Sequence, residues 1–79
     1  VTEQKIQSKK IKELESDGYY VIKLIQTNKN GIPDLLALKV DEPPLFVEVK
    51  TSVGRLARLQ EYRIKELKKL GFTAEIYRG

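Results

Sequence analysis

Six residues near the middle of the chain, Leu45-Phe46-Val47-Glu48-Val49-Lys50, restrict the fold more than any other stretch. A strand alternates its side chains between two faces, so Leu45, Val47 and Val49 line one while Phe46, Glu48 and Lys50 share the other. A strand apolar on both faces belongs inside a sheet that is covered on each side. Two charges on an inward face, at the end of such a strand, need a chemical reason.

The flanking sequence supplies the rest of a sheet. Thr2 to about Ser16 has helical periodicity, with Thr2 as N-cap and Ile6, Ile11 and Leu14 on one stripe. On the same wheel Glu3 falls near the middle of that stripe, with Gln7 and Lys10 flanking, so Glu3 either faces the body of the protein or complements the helix dipole from solvent. Gly18 is placed to end the helix. Tyr19–Gln26 reads as a first strand, 27–31 as a polar turn, and Asp34–Val40 as a second strand entered through Pro33. Asp41-Glu42-Pro43-Pro44 turns the chain into Leu45–Lys50, and such short links favour antiparallel hairpins. A loop containing Gly54 leads to a second helix, Arg58–Leu70, with Leu59, Tyr62, Ile64, Leu67 and Leu70 as its apolar face. Gly71 ends it, and Phe72–Arg78 forms a fourth strand. The order is αβββαβ, an α+β sheet with helices packed on it.

Composition narrows the chemistry this sheet can perform. The 79 residues include no cysteine and no histidine, which excludes disulfides, thiol nucleophiles, His triads and imidazole acid–base catalysis. Catalysis would rest on carboxylates, Lys, Tyr, Ser or Thr, most naturally with an oxygen-loving metal. A formal charge of +4 favours an anionic partner, nucleic acid being the commonest. No apolar run reaches the ~20 residues of a membrane span. The expectation is a single cytoplasmic domain over residues 1–79.

In an antiparallel hairpin the start of one strand lies beside the end of the next. Asp34 and Glu48 would therefore meet at one edge of the sheet, with the Val49 carbonyl as a third oxygen. Lys50, one pleat further on, could bind a scissile phosphate or orient an attacking water. This set fits a divalent ion at a phosphodiester, where charge must be neutralised, water activated and a leaving oxygen steadied. Gln60, in the first turn of the second helix, could donate to phosphate or hold the nucleophilic water. Arg55, Arg58, Arg63 and Lys29 could contact DNA phosphates. The blander readings are a turn-stabilising Asp34 and an exposed Glu48–Lys50 ion pair worth at most about 1 kcal/mol.

Glu3, Gly31-x-Pro33-Asp34, Glu48-x-Lys50 and Gly54-Arg55-Leu56 followed by Gln60 resemble the virus-type replication-repair nuclease (VRR-NUC) domain of the PD-(D/E)XK superfamily. The resemblance implies a restriction-endonuclease-like core with a mixed four-stranded sheet flanked by helices. It implies Asp34 and Glu48 as metal ligands, Lys50 as the catalytic lysine, and supporting roles for Gln60 and Glu3, the latter reaching the metal directly or through water. It further implies Mg²⁺, with Mn²⁺ as a substitute, and a phage or prophage enzyme working in the bacterial cytoplasm. Stand-alone members similar to this chain are homodimers that resolve Holliday junctions, and a two-fold dimer suits a four-way junction. Tyr19 or Tyr20 are candidates for the dimer surface. The alternatives are a flap or duplex nuclease of the same fold, or a basic nucleic-acid-binding module without catalysis.

Overall fold

The computed structural model describes residues 1–79. The elements run α1 (Glu3–Ser16), β1 (Tyr20–Lys23), β2 (Leu35–Leu38), β3 (Leu45–Lys50), α2 (Arg58–Lys69) and β4 (Thr73–Arg78). The sheet has the order β1-β2-β3-β4. Its first two pairings are antiparallel and β3–β4 is parallel, with α2 as the crossover, so the expected mixed α+β core is present.

Each helix is closed by local chemistry. The Thr2 hydroxyl accepts from the Lys5 amide at 3.2 Å and caps α1. Both helices end in a left-handed glycine, Gly18 and Gly71, and the amide after it reaches back to a carbonyl of the last turn (Tyr19 to Leu14, Phe72 to Leu67).

The sheet separates two apolar clusters. On one face Ile6 and Leu14 of α1 pack on Leu35, Ala37, Val47 and Val49. On the other, Ile64 and Leu67 of α2 pack on Ala74 with Phe46 and Leu56 against them. The alternation expected for β3 is therefore realised, with Val47 and Val49 beneath α1 and Phe46 and Glu48 on the α2 side.

Several expected details change. β1 and β2 are each four residues long, shorter than Tyr19–Gln26 and Asp34–Val40, because the chain beyond Leu24 leaves the ladder after one bond, Leu24 N–H to the Asp34 carbonyl at 2.8 Å. β4 begins at Thr73, with Phe72 outside it. The apolar face of α2 is narrower than its sequence suggests, since Leu59, Tyr62 and Leu70 remain exposed and only Ile64 and Leu67 are buried. A helix crossing between adjacent parallel strands covers those two strands and leaves β1 and β2 open on this side. Lys10, expected at the flank of α1, is buried between Ile6 and Leu14. Its stem is covered while its ammonium meets Glu13 at 3.0 Å and lies 4.5 Å from the Tyr77 ring centre. Tyr19 packs against the α1-side core beneath the Lys39 ammonium, so it is not a spare surface aromatic, whereas Tyr20 is.

Candidate active site

The β2–β3 register pairs Leu35 with Val47, so one step further along the ladder Asp34 comes opposite Glu48. Pro33, itself buried, delivers the chain to that point. Asp34 Oδ2 accepts the Val49 amide at 2.9 Å, which locks the carboxylate onto the C-terminal end of β3. The other Asp34 oxygen has no partner within the protein.

Glu48 is 2% exposed, unlike the solvated ion pair that sequence alone allows. Its Oε2 accepts from Gln60 Nε2 at 3.1 Å and lies 3.7 Å from the Lys50 ammonium. Its Oε1 is buried and has no hydrogen-bond partner at all. A bare buried carboxylate oxygen is costly. Burial accordingly pushes the Glu48 pKa up to about 7, with the Asp34 charge adding to the rise, Lys50 opposing it and Glu3 adding a smaller increment.

Gln60 has two tasks. Its Oε1 accepts the Ala57 amide at 2.9 Å, closing the first turn of α2. That bond fixes which end of the amide faces Glu48, so Nε2 is the only group it can offer there. Of the two positions open to Glu3, the structure gives the solvent one, exposed on the first turn of α1. Its charge reaches Glu48, yet no group of three or more acidic side chains converges anywhere in the protein.

The basic residues divide. Lys29, Arg55 and Arg58 are exposed and engage no acid. Arg58 stands at the first position of α2, where the helix dipole disfavours a cation. Arg63 is different from its expected role as a phosphate contact. Its Nε donates to the Asn30 carbonyl at 2.8 Å and its guanidinium pairs with Glu66 at 3.1 Å, so it fastens α2 to the β1–β2 segment.

Two features escaped the sequence. Arg78 donates to the Thr51 and Gly54 carbonyls, and the Gly79 amide bonds the Lys50 carbonyl at 3.1 Å, so β4 stakes down the loop directly after Lys50. No local pattern announces a contact 24 to 27 residues apart in the chain. The Gln60 cap had a signal, because a Gln at the third helical position is half of a capping box.

The arrangement fits a cation. Each carboxylate is oriented by donors on one oxygen and presents the other unpartnered, and both are hard oxygen donors of the kind Mg²⁺ takes. A family model described as the VRR-NUC domain matches the chain over residues 2–79. No curated protein and no solved structure matches it.

Proposed function

Because the chain belongs to the VRR-NUC domain family, and so is a nuclease of the PD-(D/E)XK type with DNA as substrate, we propose that it is a Mg²⁺-dependent endonuclease whose site is Asp34, Glu48, Lys50 and Gln60. The observation that carries this reading is the buried, unpartnered Glu48 Oε1 on a strand position that the register sets across from Asp34, whose second oxygen is also free. A divalent ion held there, with the Val49 carbonyl as a further oxygen, would supply charge neutralisation and an acidified water.

The protein's own residues do the rest. Val49 N–H and Gln60 hold the two carboxylates in fixed orientations, so little reorganisation is needed when phosphate arrives. Lys50, only 12% exposed, keeps its ammonium against Glu48 and within reach of a phosphoryl oxygen, where it stabilises the charge of the pentacovalent state. Glu3 acts at longer range, through its field or a bridging water. Arg55, Arg58 and Lys29 bind flanking phosphates.

The substrate we propose is a four-way junction cut by a homodimer, with a phage or prophage source and the bacterial cytoplasm as its setting. Support for the dimer lies in the sheet surface that α2 leaves open, where Tyr20 is 71% and Ile22 37% exposed. A domain of this size also gains stability from pairing. No helix is long and apolar enough to cross a membrane.

The test is cleavage of a synthetic immobile junction, with flap and duplex controls, in Mg²⁺, Mn²⁺ or EDTA. Paired symmetric nicks that require metal are expected. Metal-dependent cutting of flaps or duplex alone would keep the site and remove the resolvase, and binding without cutting would remove the enzyme.

A further inference from the structure

The segment between β1 and β2 has a composition unlike the rest of the chain. Charged residues make up 33% of the protein, yet from Leu24 to Pro33 the only one is Lys29. Both asparagines of the chain, Asn28 and Asn30, lie here together with Gln26. Turns usually keep asparagine for one of two reasons, a left-handed backbone or a side-chain bond to the local main chain. Neither applies. The only non-glycine residue with positive φ is Asp41, and no side-chain amide of this segment makes a hydrogen bond within the protein.

These amides border an open groove of about 680 Å³ that also includes Asp34. Ile25, 81% exposed, lines the same groove with Ile32. The far side of the segment is anchored to α2, through Arg63 on the Asn30 carbonyl and Gly31 packed on Leu59. The residues between them in α2 include Gln60, which holds Glu48. Groove and carboxylates are thus fastened to one helical turn.

We infer that this groove receives an unpaired nucleobase adjacent to the scissile phosphate. The inference rests on the nuclease reading of the neighbouring site. A concave surface cannot reach base edges inside a duplex groove, which calls for a protruding element, but it can take a base that has left the stack. Primary amides match base edges because each offers a donor and an acceptor together, and an exposed isoleucine offers an apolar surface to the ring face. Lys29 neutralises the adjoining phosphate. A base held here would make cleavage favour DNA that is already distorted or branched.

The experiment is a two-way substitution. Abasic sites are placed in turn at each nucleotide flanking the mapped cut, and kcat/KM is measured for the wild type and for Asn28→Ala and Gln26→Ala. Both side chains are exposed and unbonded, so the variants should melt with the wild type. At one flanking position the abasic site should cost the wild type about tenfold, within the range of a good base contact. The same lesion should cost the matching variant less than about twofold, since the contact is already gone. Equal penalties in wild type and variant, or no penalty at any position, would overturn the inference. The same cycle is read in parallel as the Kd ratio for intact and abasic single strands without metal. Coupling in binding with no cleavage of any DNA would sink the nuclease reading and leave the groove; cleavage without coupling would do the reverse.

Discussion

Burial, and after it the neighbouring Asp34 carboxylate, raise the Glu48 pKa from 4.5 to about 7. Between those values the native protein holds a proton that the unfolded chain has released. The associated stability is therefore fully present below pH 4.5 and is lost as pH rises through about 7. The interval corresponds to about 3 kcal/mol. Urea unfolding in EDTA should give a lower midpoint at pH 8 than at pH 5, and Glu48→Gln should flatten that dependence. Added Mg²⁺ at pH 8 should recover stability in the wild type but not in the variant. Asp34→Asn and Glu48→Gln should each reduce junction cleavage at least about a thousandfold, as expected when charge stabilisation at the reacting group is removed. DNA binding, measured by anisotropy, should survive in both. If either variant loses its cooperative melt along with its activity, the carboxylates serve the fold and not the chemistry.

Among the elements, α2 carries the most varied set of duties. Its buried side supports the sheet, while Leu59, Gln60 and Arg63 hold the β1–β2 segment and the Glu48 carboxylate. Gly31 shows how close that contact is. Its φ is +80°, and a Cβ would lie 2.7 Å from Leu59 Cγ and 3.2 Å from the Leu59 carbonyl carbon. Gly71, at φ +93°, faces open space. Gly71→Ala should thus lose only the backbone term, about 1 kcal/mol, whereas Gly31→Ala should lose about 2 kcal/mol or more. Matching urea midpoints for the two would show that the segment is not packed on α2. The order of elements was legible in the sequence because period-2 and period-3.6 patterns are local and glycines punctuate them. The Asp34–Glu48 juxtaposition was legible for the same reason, as hairpin geometry follows from a short link. What could not be read was which apolar residues of α2 find cover. Ile64 and Leu67 meet β4 and Phe46, but Leu59, Tyr62 and Leu70 depend on how far the crossover reaches over the sheet, which no local pattern encodes. Arg63 was misassigned as a DNA contact because its partner, the Asn30 carbonyl, is 33 residues away.

For the whole molecule, the proposed dimer would bury the part of the sheet that α2 leaves open. Tyr20→Asp places a charge on that surface without touching the core, since Tyr20 is 71% exposed. Sedimentation velocity should show the wild type as a dimer and this variant as a monomer. Paired nicks on a junction should give way to single, uncoordinated ones. A wild type that sediments as a monomer at concentrations where it cuts junctions in pairs would end the two-fold interpretation. The parallel pairing of β4 with β3 has a separate consequence in time. Glu3, Asp34, Glu48, Lys50 and Gln60 all precede β4, which begins at Thr73. A ribosome exposes the chain from its N-terminus, so every proposed catalytic group emerges before the strand that flanks β3 and the arginine that stakes its loop. The groups of the proposed site are therefore made before the last supports that hold them are in place.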